Sequence, residues 1–226
     1  MFTHGIVAVV AGTRRVLAVV LLLVTAGCFT TARRDARVTP GGEVGLAFSG
    51  FVMPRGTDED GMKTDARGSA QVELDLQYGT VYESGAAVAL QLRLPINLYL
   101  ATLDAFVQLP PLADGLYVGV GAELSVMPGG YALISKYFGD TYLSFTQRVL
   151  LRDPYRDGHE FEVTLNPQVS LGHRGRDSDL SVFAGYYQML GDGFNVQVDL
   201  CDHSCVDVPG DDYHKRVVLV GGALRY

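Results

Sequence analysis

The sequence predicts an all-β fold, an antiparallel up-and-down β-barrel that occupies residues 43–226. From Glu43 onward, apolar and polar residues alternate with a period of two, which is the side-chain period of a β-strand. The chain contains 27 glycines among its 226 residues, which is well above the average glycine content of roughly 7%. A high glycine content suits tight turns and closely packed strands. The chain also ends on an alternating segment that closes with Tyr226.

The stretch 71–78 shows the alternation most clearly, because its apolar residues share one face and its polar residues share the other. In a soluble β-sandwich the apolar face packs against a second sheet, whereas in a membrane barrel it faces lipid. The segments are long enough for tilted spans of about 9–11 residues, and small and charged residues occupy the opposite face. These features favour the transmembrane barrel, with a lipid-tethered soluble sandwich as the alternative.

Ten segments are predicted as strands of this barrel. Segment 130–138 is the weakest because it alternates poorly, and the joint around Pro95 is tight, so eight strands is the alternative number. The ten predicted strands are 43–53, 69–79, 84–94, 97–108, 115–127, 130–138, 141–151, 160–172, 178–190 and 214–226.

Residues 1–27 are predicted to be a signal peptide. Arg14 and Arg15 precede the apolar run 16–26, and a positive region followed by such a run is typical of secretory signals. The run is too short to span the roughly 30 Å hydrocarbon core of a bilayer.

The residues that end this run, Thr25-Ala26-Gly27-Cys28, resemble a bacterial lipobox, with Thr25 in the place where that motif usually has Leu. The resemblance implies cleavage before Cys28 and acylation of Cys28 with palmitate-type chains, which bind membranes through their buried CH₂ groups. Phe29 follows in place of the Asp that retains lipoproteins at the inner membrane, which favours the outer membrane. Residues 28–42 are then a lipidated cysteine and a polar tether. An ordinary signal peptide cut elsewhere is the alternative.

The last strand resembles the C-terminal strand of bacterial outer-membrane barrels through Val218, Val220, Leu224 and Tyr226. It departs from that pattern in ending with Tyr instead of Phe and in having Gly222 within the apolar row. The resemblance implies that the barrel-insertion machinery recognises this strand, and that outer-membrane lipids surround the barrel.

If the lipid on Cys28 and the C-terminus both lie on the periplasmic side, the chain must cross the membrane an even number of times, so the number of strands is even. The two longest connections, 54–68 and 191–213, then lie on the outer side of the membrane. Both are rich in Asp and Glu, which suits an exposed surface. The sequence identifies no ligand for them.

Seven charged residues on the predicted inner face form a candidate lumen network. An internal ion-pair network that fills a narrow barrel explains them, because buried charges need partners; the lining of a small pore is the alternative. These residues are Glu73, Asp75, Arg93, Glu123, Arg148, Glu162 and Arg225.

Cys201 and Cys205 are predicted to form a disulfide in an exported loop, because oxidising compartments favour disulfides. A metal site that adds His203 is the alternative, although structural zinc usually has four ligands. No metal, cofactor or nucleic-acid partner is expected, since the sequence has neither phosphate-binding motifs nor a basic stripe.

The expected role is therefore that of a small outer-membrane β-barrel lipoprotein, structural or engaged in surface interactions, with a lumen largely filled by side chains. A narrow diffusion pore is one alternative, and a loop-based outer-membrane hydrolase is another, although no nucleophile motif supports an enzyme. Candidate residues for such a hydrolase are His159, His173, His203, His214, Asp211 and Asp212.

Intact-mass measurement of the exported protein, before and after reduction, tests both cysteine predictions. We expect a mature chain that begins at Cys28 and carries the added mass of acyl chains. Reduction should add the mass of two hydrogen atoms, because the bond between Cys201 and Cys205 opens. An N-terminus elsewhere without lipid, or two free thiols before reduction, would contradict the corresponding prediction.

Overall fold

The computed structural model describes residues 31–53, 56–57, 63–64, 67–96, 101–125, 127–151, 163–190 and 216–226. These residues form a closed barrel of ten antiparallel strands, which confirms the predicted fold class and strand number. Within these ranges, no helix has the length and hydropathy needed to cross a bilayer.

Barrel strands that follow one another along the chain are paired, and the first and last strands pair with each other to close the barrel. A separate hairpin of β2 and β3 follows β1. In chain order the strands are β1 (Gly41–Met53), β2 (Gly56–Thr57), β3 (Lys63–Thr64), β4 (Arg67–Val81), β5 (Ala87–Pro95), β6 (Thr102–Gln108), β7 (Leu116–Leu124), β8 (Gly129–Phe138), β9 (Thr141–Leu151), β10 (Val163–Arg174), β11 (Asp179–Leu190) and β12 (Arg216–Arg225).

The two ends of the barrel differ in their connections. One end, which we call the turn end, holds the start of β1, the end of β12 and the short turns 82–86, 109–115, 139–140 and 175–178. At the opposite end, which we call the loop end, strands β1, β5, β7, β9 and β11 end and strands β4, β6, β8, β10 and β12 begin. The strands that flank the two longest connections of the sequence therefore meet those connections at the same end of the barrel.

The wall of the barrel is apolar outside and polar inside. On β5, Leu90 is 58% exposed, whereas its neighbours Gln91 and Arg93 are buried. Leu124 on β7 is 67% exposed and follows the buried Glu123. The alternation of the sequence thus separates an outer apolar surface from an inner polar one, the reverse of a soluble protein.

Strand β8 is complete, although its sequence alternates poorly. Its inward residues include Tyr131 and Leu133, which are buried in an apolar cluster with Ala36 and Phe106. Its outward residues, such as Ile134, are apolar as well. The weak alternation therefore results from apolar packing inside the barrel.

Aromatic rings inside the barrel lie over glycines on the neighbouring strand. Tyr142 is the cross-strand partner of Gly172, and Tyr131 is the partner of Gly121. A β-carbon added to either glycine would overlap with the tyrosine ring. Glycine at these positions therefore makes room for the rings, as in other curved sheets.

Replacing Gly172 with Ala should destabilise the barrel by roughly 1–3 kcal/mol, because the new methyl group displaces the Tyr142 ring. The measurement is the denaturant midpoint of unfolding in detergent. Gly42→Ala is the matched control, because the nearest atom to its β-carbon would be 3.9 Å away. Equal midpoints for the two variants would contradict this account of the glycines.

Candidate functional site

The chain before β1 lies inside the barrel. Residues 31–38, which we call the inner segment, are buried except for Arg37. They hydrogen-bond to inward side chains of β4, β6, β8, β9 and β10, strands that lie on different sides of the barrel, and only a position in the interior allows this. Residues 31–38 of the predicted polar tether thus lie inside the barrel, and its last two residues, Gly41 and Gly42, begin β1.

Wall side chains contact the main chain of the inner segment. The amide of Ala36 donates to Ser135 Oγ over 2.8 Å, and that of Val38 donates to Gln108 Oε1 over 2.7 Å. Deeper inside, the amide of Ala32 donates to Gln168 Oε1 over 3.3 Å. The inner segment, which is not paired as a strand, therefore obtains from side chains the hydrogen bonds that a strand obtains from its neighbours.

The two buried arginines of the segment both bind side chains of β4. Arg33 Nη1 donates to Gln77 Oε1 over 2.9 Å, and its guanidinium carbon lies 4.4 Å from the centre of the Phe106 ring. Arg34 forms an ion pair with Asp75. Burial lowers the pKa of Arg33, and the nearby charge of Arg225 acts in the same direction.

The carboxylate of Asp35 is bound near the turn end. The hydroxyl of Tyr137 donates to Asp35 Oδ2 over 2.5 Å, and Arg174 Nη1 lies 3.3 Å from the same oxygen. Arg174 also lies 3.4 Å from Asp179. Consecutive residues of the segment, Arg34 and Asp35, thus meet wall groups of opposite charge.

Towards the loop end, a charge network connects strands across the interior. Glu123 lies at its centre and accepts from Arg93 Nη2 over 3.0 Å and from Arg148 Nη2 over 2.5 Å. Arg93 also pairs with Asp104, and Arg148 donates to Tyr187 over 3.1 Å. The charge network joins residues on five strands, and four of its members, Arg93, Asp104, Glu123 and Arg148, are fully buried charges.

An apolar cluster occupies the interior beside the charge network. It unites strands β1, β9, β11 and β12, with Met127 packed against it. The cluster consists of Ala47, Phe51, Leu150, Phe183, Tyr187, Val217, Leu219 and Ala223.

The wall has an excess of acid that the inner segment reduces. Among the described side chains, the inward residues of the strands are six carboxylates and four guanidinium groups, and the segment adds two buried guanidiniums and one carboxylate. The number of carboxylates in excess of guanidinium groups thus decreases from two for the wall alone to one for the wall with the segment. The wall residues are Glu43, Glu73, Asp75, Asp104, Glu123, Asp179, Arg93, Arg148, Arg174 and Arg225.

The structure places six of the seven predicted lumen charges in the interior and brings three of them, Arg93, Glu123 and Arg148, into direct contact. Asp75 pairs with Arg34, Glu73 accepts from Thr31 and Arg225 pairs with Glu43, and none of these partners was predicted. Glu162 lies outside the described residues.

Sequence reasoning missed Asp35, Asp104, Arg174 and Asp179. The signal for Asp104 was available, because Asp104 shares one face of a predicted strand with Thr102 and Phe106. Asp35 carried no such signal, because residues 31–38 have no strand periodicity and their polar composition is equally typical of an exposed linker.

The predicted C-terminal signal residues Val218, Val220 and Tyr226 lie exposed on the outer face, and Leu224 is half-buried. His173 lies exposed at the turn end, 3.4 Å from Thr141 Oγ1 and opposite the loop end. Several predicted site residues lie outside the described residues: Cys28, Cys201, Cys205, His159, His203, His214, Asp211 and Asp212.

In the described part of the chain, no three His, Cys, Asp or Glu residues are arranged to hold a metal ion. No protein-family model matches this sequence, and no curated protein is detectably similar to it. The interior arrangement therefore has to be interpreted from its own chemistry.

Glu123→Gln should destabilise the barrel by about 3–5 kcal/mol, because it leaves the buried Arg93 and Arg148 without their shared carboxylate. The measurement is the denaturant midpoint in detergent. Glu83→Gln makes the same chemical change in an exposed turn and should leave the midpoint unchanged. A Glu123→Gln midpoint equal to that of Glu83→Gln would refute the central role of Glu123.

Proposed function

We propose that this protein is a lipid-anchored β-barrel of the bacterial outer membrane that is closed to solutes and has a structural or surface-interaction role. The single observation that carries the proposal is the reversed polarity of the wall, with exposed apolar residues outside and buried charges inside. Water-soluble proteins rarely expose continuous apolar patches above a few hundred Å². A bilayer is the solvent that such a surface suits, and a closed barrel pairs every strand edge within it.

The N-terminal sequence supports the outer membrane and the anchor at Cys28. The outward row Val218, Val220 and Tyr226 is consistent with recognition by the barrel-insertion machinery. Exposed aromatic residues at the turn end, Tyr82 and Phe138 among them, suit a membrane interface. The loop end would then face outward with its acidic connections, as the surface available to an extracellular partner.

Closure to solutes is supported by what occupies the interior. The inner segment extends from the turn end to the level of Glu73, and the charge network and the apolar cluster occupy further parts of the interior. A barrel of about ten strands has little interior beyond what side chains fill. Nothing in the described interior favours an open pore or a hydrolytic site over this role.

The protein in planar lipid bilayers should show no stable conductance steps, and its folded band in gels should shift on heating, as membrane barrels do. Reproducible single-channel steps would refute the closed barrel and support a narrow pore. A monomer that stays in solution without detergent would refute the membrane assignment.

A further inference from the structure

We propose that the part of the interior between the turn end and Glu73 is a binding site for an arginine-bearing peptide, and that residues 31–38 occupy it within the same chain. A partner that presents such a segment at the turn end would compete for this site. The inference depends on the geometry of the interior and not on the membrane or conductance proposals, so the two can fail separately.

The wall binds the main chain of its occupant with uncharged side chains. Ser135, Gln108 and Gln168 accept from three amides of the segment. Thr146 Oγ1 donates to the carbonyl of Arg33 over 3.0 Å. These bonds reach the main chain of the occupant and therefore do not depend on its side chains.

Two further contacts select the sequence of the occupant. Asp75, which is 1% exposed, pairs with Arg34, and the Phe106 ring with Gln77 binds Arg33. An acidic side chain must follow, because Tyr137 and Arg174 both contact Asp35. The site thus recognises two arginines followed by an acid.

The shape of the wall also fits a peptide backbone. Gly79 of β4 faces inward where the chain passes, and a β-carbon there would lie 2.5 Å from the carbonyl oxygen of Thr39 and from Cγ1 of Val38. Ala32 and Ala36 are fully buried against the wall. The close contact between the segment and the wall at Gly79, Ala32 and Ala36 supports the binding site independently of the charged contacts.

The present occupant leaves some buried polar atoms unsatisfied. Among the described residues, Arg33 Nη2, Arg34 Nη1 and Asp75 Oδ1 have no hydrogen-bond partner. Each buried group without a partner costs about 1–3 kcal/mol. The inner segment and the wall are therefore joined by fewer hydrogen bonds than their buried groups could form.

The test uses the full chain with its own segment prevented from binding. In Arg34→Gln/Ala36→Trp, the segment loses its ion pair and no longer fits, while the wall is intact. The probe is a labelled synthetic peptide of residues 29–40, followed by fluorescence anisotropy in detergent. Wild-type protein and Arg37→Gln, a matched change at the exposed arginine, keep their own segment bound at high effective concentration.

We expect saturable binding of the probe to the double variant and at least about tenfold weaker binding to wild type and Arg37→Gln. A probe with both arginines replaced by Gln should bind at least about tenfold more weakly to the double variant. Absence of saturable binding to the folded double variant, or equal binding of the two probes, would overturn the proposal.

Amide hydrogen exchange tests the site even where the double variant does not fold. The amides of Ala32, Ala36 and Val38 should be protected in wild type and should exchange at least about tenfold faster in Gly79→Ala, with Gly42→Ala as control. Exchange of these amides in wild type at the rate of an unstructured peptide would overturn the proposal, as would equal rates in the two glycine variants.

Discussion

Neutralisation of charge inside the closed wall is the constraint on which the rest of this structure depends. The interior contains fully buried arginines and carboxylates, and a buried charge without a partner costs several kcal/mol. Glu123 meets this requirement for Arg93 and Arg148. The requirement also extends beyond the wall, because Asp75, the cross-strand neighbour of Arg93, finds its ion-pair partner on Arg34 of the inner segment. The wall and the inner segment therefore neutralise each other's buried charges.

Packing adds a second constraint of the same kind. Rings such as Tyr131 and Tyr142 lie over glycines of the adjacent strand, so the wall is shaped by what it contains. Gly79 shows the same relation with the chain around Val38. Interiors packed in this way transmit small changes of volume, because few voids can absorb them. The barrel is thus built around its contents and not as an empty cylinder.

Alternation predicted most of the ten strands, because the two faces of a closed wall meet different surroundings at every second residue. It was weak in β8, whose inward residues are largely apolar. It also predicted that Glu123 and Arg148 face inward. Alternation assigns a face but not a partner across the interior, so the pairing of Asp35 with Arg174 was not predictable. The inner segment was missed for a related reason: it is buried by a wall that forms only after distant strands pair.

The position of Thr31 has a mechanical consequence. Thr31 is fully buried at the level of Glu73 near the middle of β4, and it is only the third residue after Cys28. Three extended residues reach about 10 Å, whereas acyl chains require hydrocarbon, which lies outside the polar interior. A lipid on Cys28 would therefore pull directly on the inner segment, and its mass and the exchange of the segment amides would change together. Anchoring through a lipid on Cys28, as proposed, would therefore act on the interior of the barrel, because the two residues between Cys28 and Thr31 leave hardly any slack.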